Sequence, residues 1–258
     1  MHELPLLIFT LFLQGSVGVT LWLAFGSTQR SALLPAAGAF VLASLGLLAS
    51  ALHMGYPLNA LNALRHVSSS WLSREIIFAS LYLAALGFAT LLMFVKKPGW
   101  KPLLVVAGLV GLVDVFCMAQ IYMHASVVTW QHVNTLVLFI GSVGIIGSAC
   151  MAVGTRTQTV RAAVVIITLV VLVRLVMQPV WLADITAMDN TVVTFPHAPL
   201  QMLEQLRTVH LLSWCVSVAG MLCFAAGGLK AARSPMLLGS ALLIVGELML
   251  RFVFFSIG

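Results

Sequence analysis

Eight apolar runs, each long enough to cross a bilayer as a single helix, constrain this chain more than any other feature. A hydrocarbon core about 30 Å thick takes roughly 20 apolar residues in helical form. The runs cover 4–25, 33–52, 76–95, 103–123, 133–153, 162–183, 208–229 and 236–257. Each holds too many apolar residues in succession for a half-exposed strand. The segments of about ten alternating residues that mark a membrane barrel are absent. Charge, glycine and proline collect in the separators 26–30, 96–101, 154–161 and 231–235. The expected fold is all-α: one integral membrane domain over residues 1–258, a bundle of eight transmembrane helices.

Composition excludes the other broad classes. Charged residues make up 8% of the chain and apolar ones 61%, with a mean hydropathy of +1.10. A soluble domain carries about 25% charged residues. A soluble enzyme, a nucleic-acid binder and a disordered protein therefore all fail as first readings. The net charge of +6 does not make a nucleic-acid patch, because thirteen basic residues are spread over 258 positions. They read instead as orientation signals. The first run is preceded by His2 and Glu3 rather than by basic residues, and it is too long for a signal-peptide core, so it is expected to be retained.

Alternate separators hold Arg30; Lys96, Lys97 and Lys101; Arg156 and Arg161; and Lys230 and Arg233, eight basic residues in all. The opposite side holds only Arg65, Arg74 and Arg207. The positive-inside rule puts the eight-charge side in the cytoplasm and both termini on the outer side. The two longest connections, 53–75 and 184–207, then lie outside, where binding residues on a rigid scaffold tend to sit.

The four cysteines, Cys117, Cys150, Cys215 and Cys223, all fall within spans and form no CxxC, so they read as small packing residues. No metal site is expected in the chain. Gly141, Gly144 and Gly147 make a small-residue ridge suited to close helix contact.

The stretch richest in chemistry is Ala51-Leu52-His53-Met54-Gly55-Tyr56-Pro57-Leu58-Asn59-Ala60-Leu61-Asn62, followed by Leu72-Ser73-Arg74-Glu75-Ile76. His53 falls at the outer end of span two, where Gly55 and Pro57 break the helix, and Glu75 at the outer start of span three. An imidazole and a carboxylate thus share a depth near the interface. A quinone head group needs such a pair: hydrogen bonds to two oxygens and somewhere for two protons to go. A histidine can donate to a quinone oxygen or accept a quinol proton, and Glu75 can pass that proton to water. The same residues also fit a plainer role, a histidine at a helix end and a glutamate at a helix N-terminus.

His53-x-Gly55-x-Pro57, then Ala60 and Asn62, then Leu72-Ser73-x-Glu75-Ile76, resembles the dimethyl sulfoxide reductase membrane anchor family (DmsC). The opening His2-Glu3-x-Pro5-Leu6-x-Ile8-Phe9-Thr10 is similar to that family's N-terminus. So are Tyr122 with Thr129-Trp130, Met177-Gln178, and Gly246-Glu247-Leu248 with Arg251 and Phe254, in later segments. The resemblance implies a haem-free anchor that oxidises menaquinol near His53. Electrons would pass to a four-cluster iron–sulfur subunit and on to a molybdenum catalytic subunit, both on the outer face. His53 and Glu75 would be the catalytic pair, with His53, Gly55, Asn59, Arg65, Arg74 and Arg251 as quinol-binding candidates. Asn59 and Gln120 stand where the family pattern leads one to expect arginines.

Charges inside the spans are costly and are functional candidates by default. Asp114 and Arg174 lie at similar depth in two spans that run in the same direction, which predicts an ion pair between them. Glu247 and Arg251 stand four apart on span eight, so they share a face and can pair. Trp71, Tyr122, Trp130 and Trp181 read mostly as interface anchors. Two other functions fit the composition. A secondary transporter would use Asp114, Arg174 and Glu247 as a path, but the repeated halves and broken spans of that class are missing. A haem anchor of formate or nitrate type would need facing histidines, and His66, His124, His132, His197 and His210 sit in or beside outer loops.

Overall fold

The computed structural model describes residues 4–26, 32–53, 64–152, 157–188 and 199–257. Helices account for almost all of it, and no strand occurs among the described residues. The helices are α1 (Leu4–Phe25), α2 (Leu33–His53), α3 (Trp71–Phe94), α4 (Trp100–Met123), α5 (Val133–Ala152), α6 (Thr157–Met188), the short α7 (Pro199–Gln205), α8 (Arg207–Leu229) and α9 (Arg233–Ser256). Every one except α7 is long and apolar enough to cross a membrane, which makes eight spans among the described residues.

The apolar runs understate three helices, because polar residues extend them. Ser70 caps α3: its hydroxyl accepts from the Ser73 N–H, and the helix starts five residues before Ile76. Glu75 is thereby inside the first turns of α3 and not in the loop before it. Gly99, at φ 96°, turns the chain into α4 three residues before Leu103. Helix α6 runs for 32 residues, with Pro179 inside it.

Helix α1 is the axis of the bundle, packing against α2, α4, α5 and α9. Within its most apolar stretch 72% of residues are buried, against 22% for α2 and α3. One apolar core gathers α1 to α4 around Leu13, Val17, Tyr82, Leu86 and Leu104. A second joins α5, α6, α8 and α9 around Ile145, Ile167, Phe224 and Leu243. The outward faces are apolar too: Leu34 is 78% exposed and Val176 68%. Apolar side chains on both faces are what a helix in hydrocarbon requires.

The glycine ridge of α5 does two jobs. At Gly147 the backbone meets Gly18 of α1 so closely that a Cβ on Gly18 would lie 2.2 Å from the Val143 carbonyl oxygen. At Gly141 the missing side chain leaves room for the Arg174 guanidinium, whose Nε would lie 2.7 Å from an added Cβ. The cysteines are all free, but only Cys117 is buried. Cys150 and Cys215 face outward, so packing accounts for half of the set at most.

Candidate functional site

The first turn of α3 is fixed by its own side chains. Arg74 donates from Nε to the Val67 carbonyl (2.9 Å) and from Nη2 to the Ser68 carbonyl (2.6 Å). Its guanidinium also lies 4.2 Å over the Trp71 ring. Trp71 in turn meets Phe116 and His124 of the α4 side. The turn is thus held against α4, and Glu75, 6% exposed, is buried there within electrostatic reach of Asp114. Arg74 is committed to the loop preceding its helix, and Arg65 is exposed on the short turn Leu64–His66. His53 closes α2, which packs beside α3. Gly55 and Asn59 lie outside the described residues, as does the side chain of His53.

Asp114 is completely buried, and neither of its carboxyl oxygens has a hydrogen-bond partner among the described residues. The expected Asp114–Arg174 pair does not form. Arg174 is committed elsewhere: it pairs through Nη1 with Glu247 Oε1, and its Nη2 reaches Glu247 Oε2 (3.3 Å), the Leu138 carbonyl (2.5 Å) and Ser142 Oγ (3.1 Å). Equal depth does not make neighbours, because α4 packs on α1, α3 and α5 while α6 packs on α5, α8 and α7.

The expected Glu247–Arg251 pair is also replaced. Glu247 takes Arg174 and the Ser142 hydroxyl (2.6 Å), and Arg251 donates from Nη2 to Gln14 Oε1 (2.7 Å) and Ser142 Oγ (3.1 Å). Arg251 further stacks on Phe139, 4.0 Å from the ring centroid. The site candidates therefore separate. Arg251 belongs to a midplane cluster on α1, α5, α6 and α9, and its helix α9 is not among those packed on α3.

Polar residues of α1 carry both halves of this network. Gln14 bonds Arg251 on one side and donates to Met118 Sδ on α4 (3.5 Å) on the other. Ser16 and Thr20 hold the Tyr82 hydroxyl at 2.6 and 3.0 Å. Sequence reasoning passed over them, although three polar residues in the middle of the first span were signal enough.

Two of the aromatic residues expected at the interface are structural staples instead. Trp130 donates to the Phe254 carbonyl (2.8 Å) and Trp181, 6% exposed, to the Thr129 carbonyl (3.1 Å). They tie the 124–132 connection onto α6 and α9. His210 is bound locally, accepting from Trp214 Nε1 (3.0 Å) and lying 3.2 Å from Gln178 Nε2, and His132 faces Asp184 at 3.1 Å.

A family model described as DMSO reductase anchor subunit (DmsC) matches residues 1–257. Among curated proteins, the chain is 34% identical over 157 residues to the C chain of the anaerobic dimethyl sulfoxide reductase of Escherichia coli K12, covering 54% of this protein and 55% of that one. It is 31% identical over 150 residues to the corresponding C chain of Haemophilus influenzae, 52% of each. It is 30% identical over 171 residues to the YnfH chain of anaerobic dimethyl sulfoxide reductase of E. coli, 62% of this protein and 60% of that one. The matched region thus spans a little over half the length of these relatives. No solved structure matches the chain. With its eight apolar helices and a family match over nearly its whole length, the chain belongs to the DMSO reductase anchor subunit family (DmsC) and is a multi-pass protein of the bacterial inner membrane.

Proposed function

We propose that this chain is the menaquinol-oxidising membrane anchor of a dimethyl sulfoxide reductase-type molybdoenzyme complex, with both termini on the outer side. The observation that carries the reading is Glu75: a carboxyl buried in the first turns of α3, beside the helix that ends at His53, in a chain of this family. A quinol oxidised at the mouth of this helix pair gives its protons to groups near the outer ends of the two helices. His53 accepts or donates at a quinol oxygen, and Glu75 passes a proton outward. Gly55, Asn59 and Arg65 border the head group from the same connection, and Arg74 from the first turn of α3. Arg251 contributes positive potential from the midplane cluster. The two electrons leave for an iron–sulfur subunit of four clusters docked on the outer face, and from it for a molybdenum catalytic subunit. The terminal acceptor is chosen in that last subunit, and no haem takes part in this chain.

The test uses the assembled complex in native membranes. His53→Ala and Glu75→Gln are compared with wild type for binding of a fluorescent quinol-site inhibitor and for quinol-driven reduction of an S-oxide. A reduced viologen dye, which feeds electrons directly to the soluble subunits, controls for assembly. The reading expects quinol-driven turnover to fall by about two orders of magnitude in either variant, the usual weight of a general acid or base, while dye-driven turnover persists. Wild-type quinol turnover in both variants would sink it.

A further inference from the structure

With Arg174 committed to Glu247, Asp114 stands at mid-membrane depth with no cation and no hydrogen bond among the described residues. An ionised carboxylate so placed is too costly to keep, so a carboxyl retained there needs another reason. Its surroundings supply one. Glu75 of α3 is the charged group that acts on it most directly, and the Tyr82 hydroxyl of α3 is also within electrostatic reach. The backbone amide of Ala79 on α3 acts on it too, though that N–H serves the ladder of its own helix. Cys117, one turn along α4, feels Asp114, Glu75 and Arg74 together. Helix α1 offers only uncharged polar groups, Gln14, Ser16 and Thr20.

The depths are ordered. Glu75 is four residues into α3, about 6 Å below its outer end, and Asp114 is nine residues short of the outer end of α4, about 13 Å below it. The two carboxyls therefore form a ladder with Glu75 as the outer rung. The Tyr82 hydroxyl can extend it. Ser16 gives its proton to the Ala39 carbonyl and Thr20 gives its own to the Ser16 carbonyl. The phenol can then donate to one of these hydroxyls and accept a proton on its own oxygen.

We propose that Asp114 is a further proton-carrying residue of quinol oxidation, the inner rung of a two-carboxyl exit that ends at Glu75. The inference rests on the quinol-oxidising reading and adds a residue that neither that reading nor the family pattern assigns. Two carboxyls buried on the packed helices α3 and α4 and acting on each other disfavour double ionisation, and in this cycle the pair starts with one proton, held by Asp114. When a quinol O–H bond breaks, its proton passes to Asp114 as the proton that Asp114 held moves to the Glu75 carboxylate and from there to outer water. The second quinol proton leaves by His53, and the two electrons go to the iron–sulfur subunit. The pair ends each turnover as it began, with a single proton.

The experiment compares D114N, D114E and E75Q in the assembled complex. D114N keeps the shape of the carboxyl but cannot carry a proton. It is expected to lower quinol-driven turnover at least tenfold while inhibitor binding and dye-driven turnover stay at wild-type values, and D114E is expected to restore most of the loss. Infrared difference spectra between the quinol-reduced and oxidised complex should contain a protonated-carboxyl C=O stretch that shifts in D₂O and moves in D114E. D114N turning over at the wild-type rate with an unchanged pH profile overturns the proposal. So does the absence of any such band in the wild-type complex, a result that stands even if D114N fails to assemble. E75Q at the wild-type rate also overturns it, by removing the outer rung, whereas His53→Ala and E75Q both at the wild-type rate would remove the quinol site on which the proposal rests.

Discussion

Removing Glu247 tests the midplane cluster most severely. Its carboxylate and Arg174 are 3% and 2% exposed, and besides pairing with Arg174 it lies within electrostatic reach of the buried Arg251. Glu247→Gln leaves Arg174 with the Leu138 carbonyl and Ser142, beside an unneutralised Arg251. Breaking a buried pair from one side costs about 3–5 kcal/mol, because the surviving charge is stranded. Glu247→Gln belongs at the upper end, since two like charges then face each other. Arg174→Met belongs at the lower end, since Arg251 remains within electrostatic reach of Glu247. In the double variant no charge of the pair is stranded, so its cost falls well short of the sum, with a coupling of about 3 kcal/mol. The assay is equilibrium unfolding in mixed detergent micelles, followed by helical circular dichroism, on wild type, both single variants and the double. Single-variant costs that simply add, with coupling under about 0.5 kcal/mol, would refute the pairing. Arg174→Met combined with Asp114→Asn should add in just that way, because those two side chains have no contact.

Two further outcomes follow from packing and charge. Gly18→Leu should cost at least about 2 kcal/mol in the same unfolding assay, because even its Cβ would strike the Val143 carbonyl across α1 and α5; a stable variant would mean that the helices can part without loss. A reporter fused after Gly258 should give active alkaline phosphatase and dark green fluorescent protein if the C-terminus is outside, while fusions at Lys97 should give the reverse; the opposite pattern would invert the orientation.

The spans were legible because membrane insertion is a length and composition problem. About twenty apolar residues in a row admit one solution, whichever neighbours the helix later acquires. Boundaries were less legible for a specific reason. Ser73, Arg74 and Glu75 are too polar for an apolar run, yet they make the first turn of α3, since Ser70 caps it and Arg74 folds back onto the loop. Ser70 is a residue type that caps helices, but a count of apolar residues does not register it. The consequence reaches the candidate site, because a helical Glu75 points into the bundle toward Asp114, whereas a loop Glu75 would meet water.

Partners across the membrane are a different matter. Counting residues from a span end gives depth to within a turn but says nothing of azimuth or of which helices are adjacent. Asp114 and Arg174 satisfied the depth rule and failed on adjacency, with α5 packed between their helices. Glu247 and Arg251 satisfied the four-residue rule and failed on geometry. A bonded partner on another helix, Arg174 for one and Gln14 for the other, outcompeted the neighbour on the same face. In hydrocarbon each buried charge takes the partner that satisfies most of its donors or lone pairs, because every group left over carries its full desolvation cost. That rule explains the Arg174 cluster, where Ser142 meets Arg174, Glu247 and Arg251 at once. It also isolates Asp114, the one midplane carboxyl that packing leaves without a bonded donor among the described residues. A residue that structure alone would replace with leucine is the place where chemistry has to supply the reason.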